Sequence, residues 1–235
     1  MSFNVEQLSK IYGKQKALDN IQFKTKTNCI IGFLGPNGAG KSTTMKILAG
    51  LLPATAGTCT INGVDITKNP KEAKKTIGYL PENNPLYMDM YVREILYFEA
   101  QTHKIKNKKE RIEEVIVQTG LLEEQSKKIH QLSKGYKQRV GLAMCILHNP
   151  DVLILDEPTS GLDPNQILEI RALIKKLGEE KTVLISTHIM QEVEAICDEV
   201  IIINKGQLKA HFDITEKETL YPQQSLENIF VNLTK

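Results

Sequence analysis

The chain has 235 residues, 41% hydrophobic and 25% charged, with 30 basic side chains against 28 acidic ones. That length carries one substantial α/β domain, and the composition is ordinary for a soluble globular protein. The net charge of +2 argues neither for nor against nucleic acid, and no apolar run reaches the ~18–20 residues needed to cross a bilayer.

The start, Met1–Glu6, has no basic or apolar leader segment, so no secretory signal is expected. Phe3, Val5 and Leu8 are spaced roughly as one face of a strand, and Ile21–Phe23 reads as a second. Cys29–Leu34 is a buried apolar strand that runs into the glycine-rich stretch Gly35-Pro-Asn-Gly-Ala-Gly-Lys-Ser42. Lys41–Leu51 reads as a helix with Gly50 near its end, and Asn62-Gly63 marks a tight turn after Thr58–Ile61. From about residue 82 to 138 the apolar spacing turns helical, at Val92, Ile95, Leu96 and Phe98 and again at Ile112, Val115 and Ile116. The basic run Lys104–Arg111 between them reads as solvated surface. After Pro150 the short strands Val152–Leu155, Val183–Ser186 and Val200–Ile203 alternate with helices, as in a parallel sheet. The expected layout is one domain, with a core of residues 1–81 and 139–235 and a helical insertion over about 82–138. Cys29, Cys59, Cys145 and Cys197 are scattered, which predicts reduced, buried thiols.

The glycine-rich stretch fits the phosphate-binding pattern G-x-x-x-x-G-K-[ST] at every fixed position, between a strand and a helix. Gly35, Gly38 and Gly40 let the backbone curl, so that the loop Gly35, Pro36, Asn37, Gly38, Ala39 and Gly40 wraps the phosphates and turns its N–H groups, Pro36 having none, inward at their oxygens. The helix start adds its positive end and includes Thr43. Lys41 would reach the β- and γ-phosphates and Ser42 would ligate Mg²⁺. Asp156 and Glu157 end an apolar strand, where a sheet presents its ligand-facing edge. Asp156 suits Mg²⁺ as a hard oxygen donor, and Glu157 suits a general base on the attacking water.

With Leu132-Ser-Lys-Gly-Tyr-Lys-Gln-Arg139, and Pro158–Asp163 after Glu157, the chain resembles the ATP-binding cassette (ABC) ATPases from about Tyr12 onward. The resemblance implies an α/β fold: a P-loop core with a parallel sheet, an antiparallel N-terminal β-subdomain and an inserted α-helical subdomain. It implies ATP as substrate with Mg²⁺, an adenine-stacking aromatic at Tyr12 and a γ-phosphate switch at His188. It also places Asp163 in the family's D-loop and Ser133, Lys134 and Gly135 in its signature. The other histidines, His103, His130, His148 and His211, read as structural or exposed. Two positions depart from the family. Glu82 stands where glutamine is usual, which keeps metal sensing but not hydrogen-bond donation. Lys134 and Tyr136 replace glycine and glutamine in the signature.

In that family the signature of one subunit completes the ATP site of another. The resemblance therefore implies a head-to-tail dimer, a homodimer being the simpler form. Asn83–Tyr91 lies where transporters receive their membrane subunit, although from Tyr91 onward packing within the helical lobe is expected, and Ser225–Thr234 resembles the closing helix of ABC-2-type exporter subunits and of those linked to gliding motility. The expectation is an ATPase on the cytoplasmic membrane face that energises a separate permease, with no nucleic-acid partner. Two alternatives stay open: a non-transport ABC ATPase acting on soluble partners, and a nucleotide kinase, which leaves residues 132–139 unexplained.

Overall fold

The computed structural model describes residues 2–235. The first half holds β1 (Phe3–Tyr12), β2 (Gln15–Lys24), β3 (Ile30–Leu34), α1 (Lys41–Leu48), β4 (Ala56–Ile61), β5 (Val64–Asp65), α2 (Pro70–Lys75), β6 (Ile77–Leu80), α3 (Val92–Thr102) and α4 (Lys108–Gln118). The second holds α5 (Lys134–Leu147), β7 (Val152–Asp156), α6 (Pro164–Gly178), β8 (Thr182–Thr187), α7 (Met190–Ile196), β9 (Glu199–Asn204), β10 (Gln207–Asp213), α8 (Lys217–Leu220) and α9 (Leu226–Thr234). A four-stranded antiparallel sheet, β2-β1-β4-β5, lies beside a six-stranded sheet, β10-β9-β3-β8-β7-β6, parallel except at the edge strand β10.

The inner strands are buried throughout and apolar along their middles because both of their faces are covered. Alternate residues go to different cores. Ile31, Phe33, Ile154 and Ile201 pack toward α1 and the antiparallel sheet, while Ile30, Leu34, Leu155 and Ile202 pack toward the helices. Leu8 joins the face of Phe3 and Val5, although it lies an odd three positions after Val5, because β1 bulges at Gln7 with φ +49°. Opposite the bulge, a Cβ on Gly57 would lie 2.3 Å from Gln7 O, and φ is +86°, so β4 needs glycine there.

Helix α1 stops at Leu48, short of the expected Leu51, and Gly50 turns the chain at φ +67°. The stretch 82–138 holds α3 and α4, but α5 runs unbroken across residue 138 and into the core. Within the basic run Lys104, Lys106 and Lys109 are exposed. Arg111 instead donates to Leu147 O and Ile146 O at 2.9 and 2.7 Å, the carbonyl end of α5, where a cation is favoured. All four cysteines are free and buried. Among the described residues no helix is long and apolar enough to cross a membrane.

Candidate active site

The phosphate loop leaves β3, Asp156 and Glu157 end β7, His188 follows β8 and Glu82 follows β6. These strands are neighbours in one sheet, so their carboxyl ends bring together residues far apart in sequence. Gly40, with φ +109°, lets the loop pass close to β2: a Cβ there would lie 2.7 Å from Leu18 Cδ2 and 2.9 Å from Ala17 O. Lys41 is buried at the start of α1. Its Nζ donates to Gly35 O at 2.7 Å and Pro36 O at 3.4 Å, and lies 3.6 Å from Glu157 Oε1.

Ser42 Oγ donates to Asp156 Oδ1 at 3.3 Å. Glu157 has φ +50°, a conformation that costs a non-glycine residue about 1–2 kcal/mol. Ser186 holds it there, accepting the Glu157 N–H on both its carbonyl, at 3.2 Å, and its hydroxyl, at 2.9 Å. The same hydroxyl donates to Asp156 Oδ1. His188 Nδ1 donates to Glu157 Oε2 at 2.8 Å. One carboxylate, 9% exposed, thus gives one oxygen to Lys41 and the other to His188.

An open cleft of about 700 Å³ is lined by Tyr12, Pro36, Asn37, Gly38, Gly40, Lys41, Ser42, Thr43, Glu82 and Glu157. The Tyr12 ring, 47% exposed, stands at the rim with Lys10 Nζ 5.1 Å from its centroid. Gln15, Lys16, Ala17, Lys205 and Gly206 also line the cleft. Sequence reading missed them because β2 and the β9–β10 turn reach the loop only in the folded chain. Ser186 was missed as well; its signal is a hydroxyl that closes an otherwise apolar strand.

Ser133, Lys134, Gly135 and Asp163 do not line that cleft. Ser133 caps α5, accepting from Tyr136 N at 3.3 Å, and Asp163 caps α6, accepting from Gln166 N at 3.0 Å. The two caps adjoin. Lys134 Nζ lies where a Cβ of Gly161 would fall, and Gln166 covers Gly135. Tyr136 packs partly against the helical core, with the Arg139 guanidinium 5.9 Å from its ring centroid.

A family model described as ABC transporter matches residues 18–160. The chain is 44% identical over 203 residues to the bacitracin transport ATP-binding protein BcrA of Bacillus licheniformis, covering 86% of this chain and 66% of that protein. It superposes on a solved ATP-binding subunit of an ABC transporter with a TM-score of 0.89 at 29% identity, over 100% of both chains. It also superposes on a dimeric cassette, MJ0796 bound to ADP and Pi, with a TM-score of 0.81 at 25% identity, over 90% of this chain and 98% of that one. With its phosphate loop, its paired carboxylates and its sheet in the expected arrangement, the chain belongs to the ABC transporter family and is an ATP-binding cassette with ATPase activity.

Proposed function

We propose that the chain energises a membrane exporter of the ABC-2 type through ATP-driven pairing of two cassettes. The observation that carries this reading is the division of the site. The cleft holds the groups for binding and hydrolysis, whereas the signature cap lies on a separate surface of the same chain. A γ-phosphate bound in the cleft would meet Ser133, Lys134 and Gly135 only when a second cassette supplies them, most simply another copy of this chain. The dimeric cassette among its structural relatives supports that geometry.

In the proposed reaction Lys41 and the α1 N-terminus hold the β- and γ-phosphates, and Tyr12 stacks on the base. Glu157 accepts a proton from the attacking water on a carboxylate oxygen, and the His188 Nδ1 contact keeps that side chain aimed. Ser42 and Asp156 are hard oxygen donors facing each other at 3.3 Å, a set that fits Mg²⁺, and Glu82 adds a carboxylate to the lining of the same cleft. Bound there, the ion would neutralise charge on the phosphate oxygens.

The load is read from the surface beside Glu82. Tyr87, Met88, Tyr91 and Phe98 expose apolar area there, and Tyr87 packs edge-on against Phe98 at 6.0 Å. A permease segment suits that patch and would seat the chain on the cytoplasmic membrane face, and BcrA, a bacitracin transport protein, supports a transporter load.

The test uses Glu157→Gln, whose amide cannot take the proton. Turnover is expected to fall at least about 100-fold with ATP binding kept. From gently solubilised native membranes, the ATP-loaded variant should copurify with a multi-spanning protein. Recovery with soluble partners alone would reject the transporter reading and leave the ATP chemistry standing.

A further inference from the structure

One buried carboxylate outside the cleft ties together segments that the cleft depends on. Glu192, in the first turn of α7, is 1% exposed. Its Oε1 accepts from Thr159 Oγ1 at 2.5 Å and its Oε2 from Thr187 Oγ1 at 2.6 Å. Arg171 Nη2, on α6, lies 3.6 Å from Oε1. Thr187 immediately precedes His188, and its hydroxyl also accepts from Ile189 N at 3.1 Å, so both sides of His188 are anchored to this carboxylate. Thr159 lies two residues past Glu157, within the segment 158–163, which ends in the Asp163 cap of α6.

Both threonines are buried, so neither hydroxyl is there for solvent. A buried carboxylate costs several kcal/mol unless its lone pairs are filled, and apolar packing would hold two loops together at less cost. What the carboxylate supplies is directionality: two short, charge-assisted bonds that keep two loops at a set separation.

We propose that Glu192 is a positioning residue that makes the His188 turn and the 158–163 segment move as one body. A γ-phosphate contact at His188 is thereby passed to the surface that carries Asp163, Lys134 and Ser133. This rests on the nucleotide-site reading above.

The test is Thr159→Val and Thr187→Val, singly and combined, in the full chain. Each removes one hydroxyl at nearly constant shape and leaves Glu192 with its other hydroxyl partner and Arg171. Each single variant is expected to lower kcat about 10-fold with ATP affinity within about twofold of wild type. The double variant should be no slower than either single, since one missing bond already opens the link. Thr187→Ser, which keeps the hydroxyl, should restore turnover. Additive losses in the double variant, unchanged turnover in the singles, or losses that track the thermal midpoint instead of the hydroxyl overturn the relay. Hydrolysis that survives Glu157→Gln would strike the site reading itself, and is read from a different variant.

Discussion

Glu157 and the cysteines mark opposite uses of burial. The Glu157 carboxylate is buried but partnered by Lys41 and His188, in a backbone conformation that Ser186 enforces. The thiols are buried to be inert. Burial, with the Glu199 carboxylate adding to it, pushes Cys29 up to about 12, and burial with Asp65 pushes Cys59 up to about 11. Only the thiolate is nucleophilic. A chromogenic disulfide reagent at about pH 8 is therefore expected to react at least about 100-fold more slowly with the native chain than with free cysteine. All four thiols should react after denaturation, and a fast native fraction would contradict their burial. At this scale the phosphate loop and Asp156-Glu157 were legible because their chemistry lies in contiguous residues with a fixed local shape. Glu192 was not, because its three partners come from β8, α6 and the loop after β7. Nothing in its own neighbourhood in the sequence distinguishes it from a surface glutamate.

The elements show where helices are tied to one another. His148 ends α5 and stacks on His103, which ends α3, with rings 3.9 Å apart. Its Nε2 donates to Ile77 O at 3.1 Å, and its buried Nδ1 has no partner among the described residues. Burial first, and then the His103 imidazole, hold its pKa at about 4. Between the unfolded value of about 6.5 and that folded value, the unfolded chain binds a proton that the fold refuses. Stability from this group is thus complete above about pH 6.5 and is lost as pH falls toward 4. His148→Gln can keep the donor to Ile77 and should flatten that slope. Wild type is expected to lose roughly 2 kcal/mol relative to the variant between about pH 7 and about pH 4, allowing for partial exposure. Urea unfolding across that range checks it, and parallel pH profiles would reject the assignment. Apolar runs revealed the central strands, but the edge strand β10 and the full ten residues of β2 escaped. Both alternate polar with apolar residues on half-covered faces, so neither forms a contiguous apolar block. The spacing of Leu8 was legible as strand, and only the bulge at Gln7 explains why it faces inward.

Across the whole molecule the two functional surfaces remain apart, and the fold class was legible because strand–loop–helix units recur at every motif. The pairing of Ser133 with Asp163 on one surface was not, since each is a helix cap and caps occur on any helix. Ser133→Arg places a bulky cation where a partner's ATP would dock. In a Glu157→Gln background it is expected to abolish ATP-dependent dimerisation in size-exclusion chromatography with light scattering. Nucleotide binding by the monomer should stay within about threefold, because the substituted position lies outside the cleft. Loss of monomer binding would mean that the signature serves its own chain's nucleotide.

Helix α5 has 14 residues, which at 1.5 Å each makes a rod of about 21 Å. Arg111 grips its Leu147 end, and Asn84, two residues past Glu82, grips it near Ser133 by donating to Lys137 O at 3.0 Å. A rod held this way would act as a lever if it turned. Turning it about 10° around the far end sweeps the cap through roughly 3–4 Å, several times the tolerance of a hydrogen bond. The hook at Asn84 sits close to the cap end of the helix, so a small displacement of the loop beside the exposed aromatics would be felt first at the cap.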